Sequence, residues 1–346
     1  MKHWTEPHGI LLMQIPIEWQ YRNAAIEGVK EESPFSFEPY DGAIGCFQLS
    51  CYPLAELAPN LKDKVPKGKA NGKWTSTRMD SDQFDMHVFF GAIADQALIA
   101  KYIYSRDLRG DERVAKQLKI SRTVLDSVTI VPFNDRSLAA NLDKYDRFLA
   151  SLVASTDLLN SAIESESYIE IIVVSANQID AYLRLSIVIA KQLQAESDDI
   201  DVNYLYQAGD KGFLERKIFD HALQLGVVDQ TLYDELSALY SLRNRIVHRY
   251  IISSIKTRDM ISVVTRYLEM SEKMRLVLNK FEDLEIGKSF GIYGRGFVRA
   301  ELPDETETRR VHSWANDKHQ IGKFKRKIVE QKGTDLFVDG NDGARD

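Results

Sequence analysis

The densest concentration of groups able to move protons and bind anions in this 346-residue chain is Leu242-Arg243-Asn244-Arg245-Ile246-Val247-His248-Arg249-Tyr250. A free imidazole titrates at about 6.5, so His248 can take or give a proton at neutral pH. The planar fork of Arg243 can bind two oxygens of one phosphate together. That pairing suits RNA cleavage without a metal, because the 2′-hydroxyl of RNA is itself the nucleophile. The protein then has to supply a base, an acid and a cation for the phosphorane. His248 is the candidate for proton transfer and Arg243 for the phosphorane. Asn244, one helical turn before His248, can orient either the histidine or the phosphate. Arg245 and Arg249 add charge for an RNA backbone. From Tyr240 to Met260 the cations Arg243, Arg245, Arg249, Lys256 and Arg258 face Asp259 alone. The simpler reading of the same residues is a helix C-terminus, where basic side chains complement the dipole and His248 bonds a terminal carbonyl.

Two features of this stretch constrain any mechanism. Cleavage needs two proton transfers and the motif holds one histidine, so a two-fold dimer that brings two motifs together would supply the second. Arg243 and His248 are also about 140° apart on an ideal helix, so their convergence requires the arginine's reach or a kink near the helix end.

Other constellations fail on chemistry. Asp80, Asp82, Asp85 and His87 suggest a hard-cation loop, but Phe84 stands where a third ligand belongs, and a solvated turn between strands is expected instead. Asp199-x-Asp201-x-Asn203 fails likewise, with Tyr204 at the glycine position. There is no Gly-x-Ser-x-Gly elbow, Walker loop or His-Glu-x-x-His. His221, beside Phe219 and Leu223, reads as structural, and His3, His8, His312 and His319 as surface residues. Neither metal nor cofactor is indicated.

A formal charge of -6 excludes a dedicated basic nucleic-acid binder but leaves room for a local basic patch. Cys46 and Cys51 are too few for a disulfide framework, which points to reduced cytoplasm. The apolar run Ile10 to Ile15 is too short for a signal peptide and ends at Pro16. Ile169 to Ala190 has the length of a membrane span, but Glu170, Asp180 and Arg184 interrupt it, so it reads as a core helix and no membrane is expected.

Positioning the motif falls to the second of three regions. Residues 1–132 read as an α+β domain: strands over Ile10 to Ile17 and Ile44 to Tyr52, a Lys-rich loop over Ala58 to Lys73, and a hairpin from Met86 to Phe90 and Ala97 to Tyr104. A helix over Asp111 to Ile130 follows. Phe133-Asn134-Asp135 is an N-cap sequence, and residues 135–285 are helical: one helix through Leu138 to Leu159, another through Ile169 to Ile187, and a shorter one over Phe213 to Leu225. The motif helix starts at Asp229, with a core face through Leu232, Leu236, Leu239 and Ile246. Arg243 lies on that row, a poor place for an unpaired guanidinium. A last helix runs from Met260 to Phe281, completing a four- or five-helix bundle. Residues 286–346 form an irregular extension, with a glycine-aromatic strand or hairpin near Gly287 to Phe297. A basic stretch over Lys318 to Lys332 and a disordered end at Asp339 to Asp346 complete it.

The first region, with its Ile-Pro-x-x-Trp start, the strand DQALIAKYIYS and the closing LDSVTI, resembles the PsbP-like fold, an antiparallel sheet flanked by helices that mostly serves binding or scaffolding. The bundle resembles the HEPN superfamily through Arg243-Asn244-x3-His248-x-Tyr250. That resemblance implies a metal-independent endoribonuclease acting on RNA as a homodimer, in toxin or phage-defence biology. It also implies a nucleotidyltransferase antitoxin that modifies Tyr250. The alternative is a non-catalytic HEPN bundle that binds a nucleotide, RNA or a protein partner.

Overall fold

A computed structural model describes residues 1–22, 32–39, 44–62, 65, 74–207 and 212–296. The described residues divide into two compact units, the first from Met1 to Ala140 and the second beginning at Asn141.

The first unit carries an antiparallel sheet. In chain order its elements are β1 (Lys2–Thr5), β2 (Leu11–Ile15), β3 (Trp19–Arg22), β4 (Phe35–Pro39) and β5 (Cys46–Pro53). Then come a single turn α1 (Pro59–Lys62), β6 (Thr75–Asp80), β7 (Phe84–Ile93), β8 (Gln96–Ser105), helix α2 (Glu112–Asp126) and β9 (Thr129–Ile130). Six strands pair in the order β3-β4-β5-β8-β7-β6, and β1-β2-β9 form a smaller sheet. In β8 the residues Leu98, Ala100, Tyr102 and Tyr104 are buried at every second position, as a strand with one core face requires. They pack with Trp4, Trp19, Phe37 and Phe47 and with Val114, Val124 and Leu125 of α2. The indole of buried Trp19 donates to Gln117 of α2 at 2.9 Å, so its polar atom is satisfied inside the core. A second cluster joins Val88, Phe90 and Ala97 to Leu57 and Val65.

β1, β3, β4 and β6 lie outside the strands expected from the sequence. All six residues of β6 are exposed, so this edge strand carries no apolar alternation to read. Helix α2 stops at Asp126, and residues 129–130 turn into a strand against β2 instead of finishing the helix. The acidic turn also differs from expectation. Asp80 and Asp82 are exposed, but the Asp85 side chain is fully buried. It accepts from Arg78 Nη2 at 2.8 Å and from Arg109 Nε and Nη2 at 2.8 and 2.7 Å. Arg109 hydrogen bonding holds this carboxyl well below the usual range, with Arg78 assisting.

The second unit is helical: α3 (Arg136–Glu164), α4 (Tyr168–Ala195), α5 (Glu215–Gln224), α6 (Gln230–Arg249) and α7 (Thr257–Glu285). α4 is its spine and packs on α5, α6 and α7. By length and composition α4 could cross a membrane, but 67% of its apolar window is buried inside the protein, as befits a core helix. One of its buried polar residues ties it to neighbouring helices: Gln178 bonds Ser155 of α3 at 3.1 Å and Ser271 of α7 at 3.2 Å.

After α7 the expected strand or hairpin does not form, and residues 286–296 make a series of turns. Buried Glu285 takes the Tyr293 amide at 2.8 Å and Asp198 takes the Gly291 amide at 2.9 Å. The Tyr293 hydroxyl donates to Glu282 at 2.5 Å and lies 3.2 Å from that of Tyr145. These side chains satisfy a backbone that has no ladder, and Ile292 is fully buried beneath them. Most of the Lys-rich loop, the basic stretch and the chain end lie outside the described residues.

Candidate functional site

Helix α6 starts where the sequence signals it. Gly226, with φ of 69°, lets the chain leave α5, and the Asp229 side chain caps α6 by accepting from the Leu232 amide at 2.8 Å. Leu236, Leu239 and Ile246 are buried and face the bundle. Tyr267 of α7 donates to the Leu239 carbonyl at 2.7 Å, one turn before Arg243.

Arg243 projects from the same face, and its side chain is only 19% exposed. Its Nη1 donates to Glu215 Oε2 at 2.6 Å, while Nε and Nη2 share Asn244 Oδ1 at 3.4 and 3.1 Å. The guanidinium also sits 5.0 Å from the ring centre of Tyr240. Burial pushes the Glu215 carboxyl up, with the Arg243 charge opposing it. On α4, Arg184 pairs with Asp180 at 2.5 Å and donates to the carbonyls of Tyr204 and Phe213 at 3.2 and 3.0 Å. Burial likewise raises Asp180, whose neighbouring charges include both Arg184 and Arg243.

His248 occupies a different surface. It is exposed, as are Arg245, Val247 and Arg249 beside it. Among the described residues, no hydrogen bond or ion pair joins His248 to Arg243. Tyr250 ends the helix with its hydroxyl 3.3 Å from Thr257 Oγ1. In the turn that follows, Ile251 is 95% exposed and Ile252 83%. Asp259, the single anion of the segment, accepts from the Lys256 amide at 2.9 Å and so caps α7.

Within one chain, then, Arg243 and Asn244 come together, His248 lies with Arg245 and Arg249, and Tyr250 faces α7. One continuous helix carries both halves of the motif, and Arg243 and His248 lie about 140° apart around it. Glu215, Asp180, Arg184, Tyr240 and Tyr267 surround Arg243 without belonging to the motif. Of these, Asp180 and Arg184 left a trace in the sequence, as charges four residues apart inside an apolar helix. Glu215, at the start of a polar helix, left none. His221 is packed as part of the fold, with Nδ1 2.9 Å from the Tyr204 hydroxyl and its ring edge-on to Phe213.

No protein-family model and no curated protein matches this chain. A crystal structure from Bacteroides thetaiotaomicron aligns over 71% of this chain and 79% of that one, at 10% identity and a TM-score of 0.28. That likeness is too slight to carry an argument about fold or function.

Proposed function

We propose that the helical unit is a HEPN-type endoribonuclease that cleaves RNA by 2′-hydroxyl attack without a metal. His248 transfers protons, Arg243 stabilises the phosphorane and Asn244 orients the arginine it touches. Arg245 and Arg249 hold the RNA backbone. The observation that carries this reading is the exposed His248 at the end of α6, flanked by the exposed Arg245 and Arg249. The opposed placement of Arg243 and His248 supports a homodimer in which the histidine of one copy meets the arginine of the other. Tyr250, half-buried, is the residue a nucleotidyltransferase antitoxin would modify. The first unit, read as PsbP-like, is a docking module, and the whole acts in the cytoplasm as a toxin or phage-defence effector.

The test is cleavage of mixed RNA in excess EDTA by wild type and by His248→Ala. Because His248 is exposed, its loss should change stability by less than about 0.5 kcal/mol. Loss of cleavage in the variant, with 2′,3′-cyclic phosphate ends from wild type, is the expected result. Equal activity in both, or none in either, removes the reading. The Glu215–Arg243 pair favours a second one, a non-catalytic HEPN bundle in which Arg243 joins α5 to α6 and the surface around His248 only binds a nucleotide, RNA or protein.

A further inference from the structure

Arg243 cannot grip a phosphate as it stands. One edge of its fork is taken by Glu215, through Nη1, and the other by Asn244, through Nε and Nη2. We infer that the Glu215–Arg243 ion pair is an autoinhibitory latch, which holds the motif arginine away from RNA until a backbone phosphate displaces the carboxylate. The inference rests on reading Arg243 as an RNA-binding residue, and it assigns a regulatory role to Glu215 of α5, which lies outside the motif.

The two halves of the latch are held differently. Glu215 opens a helix whose Ile218, Phe219 and Ala222 are buried, and Arg184 of α4 grips the carbonyls of Tyr204 and Phe213 just before it. Its backbone is fixed on both sides. Arg243 is a long side chain near the end of α6, 19% exposed, with the flat face of Tyr240 beneath it. It can rotate outward with no change in the helix. A phosphate oxygen pair competes for the same donors as a carboxylate. Burial pushes the Glu215 carboxyl up and the Arg243 charge opposes it, so departure of the arginine removes the main group that favours the ionised form. Asp180 acts in the same direction, since its charge lies near both partners and opposes ionisation of Glu215.

The experiment is equilibrium binding of a short single-stranded RNA with 2′-O-methyl sugars, which cannot be cleaved by 2′-hydroxyl attack, to the full chain in EDTA. Glu215→Gln is expected to tighten binding by about fivefold or more. Arg243→Gln should weaken binding in the wild-type background and cancel the gain when combined with Glu215→Gln. Glu215→Asp, which keeps the charge but shortens the side chain, should give a smaller gain of the same sign and serves if the glutamine variant fails to fold. The latch is overturned if Glu215 variants bind no better than wild type, or if the gain survives Arg243→Gln. An intact latch in a protein that cleaves no ordinary RNA would sink the nuclease reading alone.

Discussion

The hydroxyl of Tyr267 on α7 and the carbonyl of Leu239 on α6 are 2.7 Å apart, in a hydrogen bond buried between the two helices. It fixes α7 against the turn of α6 from which Arg243 projects. Burial pushes the Tyr267 phenol above its ordinary value, so the donor stays protonated at any working pH. Tyr267→Phe keeps the ring and removes the bond, and urea unfolding should show a loss of about 1–2 kcal/mol. An unchanged midpoint would mean that the helices are held by apolar packing alone.

Asp146 on α3 gives the helical unit a dependence on pH. Burial lifts its carboxyl to about 7, with the charge of Asp143 adding to the effect and Arg147 opposing it. The folded state therefore holds a proton that the unfolded chain, with an ordinary carboxyl at about 3.9, releases. The favourable contribution is complete below the unfolded value and is lost as pH rises through the folded one. Asp146→Asn should match wild type near pH 4 and exceed its stability near pH 8 by about 4 kcal/mol. Parallel denaturation curves at the two pH values make the comparison, and a constant difference between the proteins would refute it.

Gly291 should tolerate no side chain. Its φ is +81°, and a Cβ there would collide with the buried Glu285 carboxylate that holds the Tyr293 amide. Gly291→Ala is expected to cost about 2–3 kcal/mol and to expose the amides of residues 291–293 to hydrogen exchange. Protection at wild-type levels in the variant would contradict this account of the turns.

A shared active site predicts complementation between two inactive chains. His248→Ala and Arg243→Gln should each lack cleavage alone, yet after mixing and subunit exchange the heterodimer contains one intact pairing of histidine and arginine. At equal amounts, activity should return to about a quarter of wild type, from one working site in half of the dimers. No recovery, despite heterodimers detected by mass, would show either that both residues serve one chain's site or that cleavage draws on both histidines of the dimer.

Much of the fold was legible where periodicity is strong. The helical region was readable because each helix buries a stripe, and α4 stood out through Ile172, Ile179, Leu183 and Ile187. The hairpin β7–β8 was readable through its core positions. By contrast β6 faces solvent throughout, and β3 mixes one buried tryptophan with polar neighbours, so neither carries a periodic signal. The motif was legible as a string of residue types, but its dispersal was only half so. The helical angle separates Arg243 from His248, whereas the partner that occupies Arg243 comes from a residue 28 positions earlier in the chain. A lone glutamate at a helix start has no sequence mark that distinguishes it from a solvated one.

The smallest sheet carries a consequence for how the protein is made. β2 sits between β1 and β9, pairing Lys2 with Ile15 on one side and Leu11 with Ile130 on the other. During synthesis the β1–β2 hairpin can form early, but its second edge stays open until more than a hundred further residues have left the ribosome. Until then an apolar strand containing Leu11, Met13 and Ile15 is available for mispairing. The N-terminal unit should therefore mature late and cooperatively, in step with the emergence of α2 and β9, and nascent chains stalled before residue 130 should be the species most dependent on chaperones.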